Sequence, residues 1–201
     1  SYWQHIENTL SNPKDIWRNV FEVQLDNLSR HIAIAVCLHG KWISEKKIKE
    51  LYARLSARPY HAGSSYSFDT TIELLVGALL NRNVFSRGDV TYELFNPSIA
   101  DYVIANYFDN FDFVDELLGC LQTIDSIENL QSLYQSEIID KAFYLNLIER
   151  QLVLLVKKPE TVNIDEYILR LFYLISQKTK IFYFSMLYLI TCQIPPKVFF
   201  H

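Results

Sequence analysis

The stretch 32–38 reads IAIAVCL, without one polar side chain. A helix that is apolar on most of its sides has to be covered on most of its sides. Asp26 stands ahead of the run as a capping residue, and Gly40 follows it as a C-terminal stop. A helix over 28–38 is therefore expected at the centre of its domain. The remainder of the chain must then supply what covers it. Half of the residues are hydrophobic and 14% are aromatic, which suffices for a packed core and excludes global disorder. Only five Gly and six Pro in 201 residues favour helices over a turn-rich sandwich.

The elements around that helix can be read from spacing. Asn12 and Pro13 form a good helix start, and Ile16, Trp17, Val20, Phe21 and Leu25 make one apolar stripe after it. Trp42 and Ile43 are a short extended candidate. Ser44 caps a helix over 45–57 with Ile48, Leu51, Tyr52 and Leu55 on one face. The segment 58–67, with Pro59, Gly63 and two serines, is a loop. Asp69 starts a helix over 70–80, with Ile72, Leu75, Val76 and Leu79 inward. Residues 84–87, Gly88 with Asp89, and 90–95 read as strand, turn, strand. Alternation puts Val90, Tyr92 and Leu94 on one face, with Thr91, Glu93 and Phe95 on the other. Asn96 and Pro97 then open a helix carrying Ile99, Tyr102, Val103 and Tyr107.

Helix, short strand, helix, helix, strand, turn, strand is the order of a winged helix, with the wing tip at Gly88 and Asp89. From Asp109 onward only helices are expected. Val114, Leu117, Leu118 and Leu121 form a stripe, with Asp112, Asp115 and Glu116 opposite. Asp125 with Glu128 resembles a capping box, a long helix covers 137–156, and Asn163 with Glu166 opens one over 164–176. The last helix covers 181–194. The fold class is thus mainly α: a helical linker over 1–27, a winged-helix-like domain with a small β-hairpin wing over 28–108, and an all-α region over 109–201. The paired helices suit a repeat array, although no period is evident.

Several chemistries are excluded. No Gly-rich loop followed by Lys and Ser or Thr occurs, and neither does GxGxxG, HExxH or GxSxG. No catalytic residue is assigned, and no enzyme activity is expected of this chain. His31, Cys37 and His39 come nearest to a metal cluster, but His31 and Cys37 point to different sides of a helix and a fourth ligand is missing. No metal is expected. Asp109, Asp112, Asp115 and Glu116 are explained by the helix macrodipole. Cys37, Cys120 and Cys192 are odd in number and widely spaced, as expected of reduced thiols in a cytoplasmic protein. The start, Ser1 to His5, lacks the basic and apolar regions of a signal peptide. The apolar run 181–194 is too short to cross a bilayer, so no membrane partner is expected.

The net charge of −4 and pI near 5.7 lower the expectation of nucleic-acid binding. Lys46, Lys47, Lys49, Arg54 and Arg58 lie on or beside one helix, where a solvated face is the ordinary explanation. The third helix of a DNA-reading winged helix would here present Asp69, Thr70, Thr71 and Glu73, which repel phosphate. A DNA-binding transcriptional regulator with a helical dimerisation domain is the alternative; it would use Lys46, Lys47 and Lys49. A helical scaffold for protein partners would instead expose Phe182, Tyr183, Tyr188, Phe199 or Phe200.

Phe95-Asn96-Pro97-Ser98-Ile99-Ala100-Asp101-Tyr102 resembles the aromatic-(His/Asn)-Pro-Ser-hydrophobic-Arg-Asp-aromatic motif that closes the winged-helix region of many STAND signalling NTPases, most nearly the bacterial novel-STAND group. Asn12-Pro13-Lys14-Asp15-Ile16-Trp17 is similar to that group's Asn-Pro-x-x-Ile-Trp segment. The resemblance spans about residues 5–107. It implies a regulatory module that relays nucleotide state from an NTPase domain of the same polypeptide to a helical sensor region, which meets a protein trigger. Bacterial members often act in anti-phage defence. It further implies that Asn96 and Ser98 approach a phosphate of ATP or ADP held by the parent, with no cofactor in this chain. Ala100 stands where the motif has Arg, so an Arg-mediated contact is not carried over.

Overall fold

The computed structural model describes residues 13–61, 66–156 and 166–176. Asn12, the expected helices over 2–10 and 181–194, Asn163, Cys192 and the aromatic residues of the last segment lie outside the described residues. The chain is mainly helical with a small antiparallel sheet, and it separates into two compact units at the junction of Leu121 and Gln122. No helix among the described residues is long and apolar enough to cross a membrane.

The first unit begins with α1 (Pro13–Asn19), which widens into a π-helical turn, Val20–Gln24. The wider turn leaves carbonyls without their usual helical partners. Arg30 takes them up: its Nε donates to the Phe21 carbonyl at 2.6 Å and its Nη2 to the Leu25 carbonyl at 3.4 Å. Asp26 then caps α2 (Asn27–His39), accepting from the Ser29 amide at 3.0 Å. Gly40 closes this helix at φ 79°, the left-handed conformation that glycine adopts without a Cβ penalty. Every residue from Ile32 to His39 is buried, so α2 is the central helix of the unit.

Four helices and one strand lean on α2. β1 (Ile43–Ser44) leads directly into α3 (Glu45–Ser56), whose amide at Lys47 bonds the Ser44 hydroxyl. A 3-10 turn, Pro59–His61, follows. Next come α4 (Phe68–Ala78), β2 (Leu80–Val84) and β3 (Val90–Leu94). α5 (Pro97–Tyr107) and α6 (Phe111–Leu121) complete the unit. The sheet order is β1-β3-β2, all antiparallel, with Ile43 and Arg82 both opposite Tyr92.

Three expectations are corrected here. The first strand of the hairpin lies four residues earlier than 84–87, and α4 ends at Ala78. Leu79 and Leu80 are both buried, the Phe95 amide bonds the Leu79 carbonyl at 3.1 Å, and Leu80 pairs with Leu94. Pairing with β3 thus draws Asn81, Arg82 and Asn83 into a strand that their own propensities disfavour. Ser67, not Asp69, caps α4, accepting from the Thr70 amide, so Thr71 turns inward and is fully buried. α6 and the segment 13–27 group with the first unit. Val114, Leu117, Leu118 and Leu121 are buried as the stripe requires. Asp115, expected opposite them, is buried too.

Gly88 sits at φ 82° in the tight turn between β2 and β3, where the Phe85 amide bonds the Asp89 carbonyl at 2.9 Å. An added Cβ meets nothing within 4 Å at either Gly88 or Gly77, so backbone conformation alone separates the two. Gly88→Ala is expected to cost about 1 kcal/mol, whereas Gly77→Ala in α4 should gain up to ~1 kcal/mol. Urea melts of both variants, followed by far-UV circular dichroism, check the opposite signs.

The second unit holds α7 (Ile124–Gln135), α8 (Lys141–Val156) and α9 (Glu166–Ser176), each packed on the other two. Thr123, not Asp125, caps α7, accepting from the Ser126 amide. α8 starts at Lys141 rather than at 137, because the Ile138 amide closes back on the Leu133 carbonyl at 2.9 Å and Asp140 caps through the Phe143 amide at 2.7 Å. The Tyr134 and Tyr144 rings stack at 5.0 Å, and the Tyr167 hydroxyl donates to the buried Gln151 side chain at 3.3 Å.

Candidate functional site

The two segments that carry the family resemblance meet in space. Asn96 caps α5, its Oδ1 accepting from both the amide and the hydroxyl of Ser98 at 2.9 Å. The Ser98 oxygen in turn accepts from Trp17 Nε1 at 3.0 Å, across 81 positions of sequence. Trp17 is buried and meets the half-exposed Phe95 ring edge-on, with centroids 5.6 Å apart. α1 and the start of α5 are thereby joined through one hydroxyl that uses both its donor and its acceptor functions. The Asn96 carbonyl oxygen is fully occupied, while its Nδ2 donates to none of the described residues and remains able to meet an acceptor. Donors at a helix N-terminus favour an anion. The resemblance extends that role to Ser98, but the Ser98 hydroxyl is committed to Asn96 and Trp17.

The basic set of α3 is largely engaged. Lys47 pairs with Glu50 at 3.0 Å, and Lys49 pairs with Glu45 at 3.5 Å while lying 5.2 Å from the Phe68 ring centre. Arg54 donates to the Cys120 carbonyl at 2.7 Å, and Arg58 pairs with Glu116 at 3.3 Å. Lys46 is exposed. Each neighbouring carboxylate reduces the positive field that phosphate binding relies on. At the start of α4, Asp69 and Glu73 are exposed as expected, while Thr71 is not.

No group of three or more His, Cys, Asp or Glu side chains among the described residues is arranged to hold a metal ion. Cys37 is buried, and burial followed by the nearby Asp101 charge pushes its thiol up to about 12, far from a reactive thiolate. Of the acidic group, Asp109 and Asp112 are exposed, Asp115 is buried and Glu116 pairs with Arg58. They do not converge.

Periodicity does not reveal one cluster. His31 on α2 and His61 at the end of the 3-10 turn place Nδ1 and Nε2 3.0 Å apart, with their rings at 73°. Phe113 of α6 stands edge-on to His31 at 4.9 Å. Tyr60 lies beside both imidazoles, and burial followed by the Glu116 carboxylate pushes its phenol up. Burial, then the charges of His61 and Arg30, lower His31 to about 4, against the opposing pull of Asp26. Burial also lowers His61, against Asp26 and Glu116. His61 lies within a segment that reads as loop, and only the folded turn brings it to His31.

No protein-family model, no curated protein and no solved structure matches this chain.

Proposed function

We propose that this chain is a non-catalytic regulatory and interaction module of a STAND-type signalling NTPase, in which the first unit is a winged helix with its wing at Gly88. In this reading the NTPase domain belongs to the same polypeptide and holds ATP or ADP. The helices of the C-terminal region meet a protein trigger, in the cytoplasm and in the setting of anti-phage defence. The observation that carries the reading is the hydrogen-bonded junction of Trp17, Ser98 and Asn96. It unites the two segments whose residues resemble the family, and it leaves Asn96 Nδ2 without a partner among the described residues at a helix start.

That geometry supports a route for signalling. A phosphate accepting from Asn96 Nδ2 bears on the first turn of α5. Ser98 passes any displacement to Trp17, and so to α1 and the π-helical turn. Exchange of ADP for ATP would shift the contacted phosphate and relax the junction, which is the kind of small shift that packed interfaces convert into a rearrangement. The carboxylate partners along α3 favour this reading over a DNA-binding regulator using Lys46, Lys47 and Lys49.

The test uses the longer polypeptide that the reading requires, titrated with ADP by calorimetry. Asn96→Asp keeps a capping oxygen but presents a negative charge to phosphate, and should weaken ADP binding at least 10-fold with little loss of stability. Asn96→Ala should weaken binding and also cost about 1 kcal/mol of stability through the lost cap. Unchanged ADP affinity in Asn96→Asp would remove the sensing role. Absence of a Gly-rich phosphate-binding loop from the rest of the encoding gene would remove the whole reading. Salt-dependent duplex DNA binding, lost on neutralising Lys46, Lys47 and Lys49, would establish the alternative.

A further inference from the structure

The contact between His31 and His61 has a feature beyond proximity. His61 Nδ1 is buried and, among the described residues, has no hydrogen-bond partner. That atom restricts how protons can be distributed over the pair. Two neutral imidazoles carry one proton each, and the bond at 3.0 Å requires that one proton lie between His31 Nδ1 and His61 Nε2. A proton on His61 Nδ1 would be a buried donor without an acceptor, which costs the full desolvation of that group. The favoured arrangement therefore has His61 Nε2–H donating to His31 Nδ1, with the second proton on His31 Nε2.

A third proton has only two places to go. On His61 Nδ1 it creates a buried, charged donor with no partner. On His31 Nδ1 it sets two N–H groups facing each other across the contact, and the bond is lost. Either outcome disfavours the closed pair. The surrounding groups do not absorb the charge in one direction: Asp26 and Arg30 of α2 act on His31 with opposite sign, and Phe113 of α6 offers only a ring. Asp26 and Glu116 favour a charged His61, while burial opposes it more strongly. Arg58, just ahead of the turn, is paired with Glu116 of α6, whose carboxylate also acts on Tyr60.

We propose that the contact between His31 and His61 is a proton-operated latch, which fastens the turn Pro59–His61 to α2 when neutral and releases it when one further proton is taken up. The turn is otherwise held by the His61 amide on the Arg58 carbonyl at 2.9 Å and by the Arg58 ion pair with Glu116, so release moves His61 and Tyr60 rather than unfolding the unit. The device senses acidification without a metal, a ligand or any exposed histidine.

Histidine-labelled protein followed by NMR from pH 7.5 down to about 3, past the His31 value of about 4, tests it on the chain as it stands. The 15N coupling between the two rings should be present at pH 7.5 and vanish on acidification. Its loss should share one midpoint, below the ordinary 6.5 of free imidazole, with backbone amide shifts at Tyr60, His61 and Phe113. In His61→Gln an amide that does not titrate can donate to a neutral His31 Nδ1 and accept from a charged one, so the backbone shifts should disappear. Ring titration near 6.5 without coupled backbone change overturns the latch, and so do backbone shifts that persist in His61→Gln. Should that variant not fold, the coincidence or separation of the ring and backbone midpoints in the unmodified chain decides.

Discussion

Truncation of Phe21 to alanine is expected to destabilise the first unit by about 3–5 kcal/mol, the usual cost of removing a fully buried aromatic ring. Phe21 has no exposed surface, and its ring packs on Tyr102 at 5.3 Å and Tyr107 at 5.9 Å. The site is poorly able to collapse around a void. Arg30 holds the Phe21 carbonyl, Glu22 is bonded by the Tyr107 hydroxyl, and Arg30 and Glu22 face each other at 3.8 Å. The backbone is thus pinned on both sides of the missing ring. Native domains are stable by only about 5–15 kcal/mol, so a loss of this size shifts the urea midpoint strongly or abolishes folding. Val23 in the same π-helical turn is 75% exposed, and Val23→Ala should leave the midpoint nearly unchanged. Equal midpoints for the two variants would mean that the ring cluster does not stabilise the unit.

A fall in pH from 6.5 to 5.0 is expected to cost on the order of 2 kcal/mol through the imidazole pair. His31 is lowered to about 4 in the folded chain, chiefly by burial, against the 6.5 of an unperturbed imidazole. Between those values the unfolded chain binds the proton and the folded one does not. Its contribution is therefore complete above pH 6.5 and is lost progressively as the pH falls toward about 4. Urea midpoints measured at pH 6.5 and 5.0 give the slope, and His31→Gln should flatten it. An unchanged slope in His31→Gln would show that other groups set the acid limit.

Much of the helical frame is legible from local chemistry. Asp26, Ser44 and Asn96 cap the helices that their sequence positions predict, because a short polar side chain before an apolar stripe satisfies amides within three residues of itself. Gly40 and Gly88 take left-handed conformations, as their positions suggest. The places that mislead are those where a partner far along the chain decides. Asn81, Arg82 and Asn83 form a strand only because β3 is there to receive them. Thr123 displaces Asp125 as a cap, and Ser67 displaces Asp69, since several adjacent polar residues can each start a helix and packing selects which face turns inward.

The candidate site divides in the same way. Asn96 is legible as a cap from its place before Pro97, a relation between neighbours. That Trp17 holds Ser98 across 81 positions is not, because a hydrogen bond between distant segments leaves no periodic signal in either. His61 gives no sign at all: in sequence it follows a proline and a tyrosine in an unpatterned stretch. The amino-acid sequence by itself pointed to a buried central helix over 32–38, since seven consecutive apolar residues that follow a cap and precede a glycine have to be covered on most sides. Only the tertiary structure decided which polar groups meet around that helix, because desolvation and hydrogen-bond geometry act between residues that the chain keeps far apart.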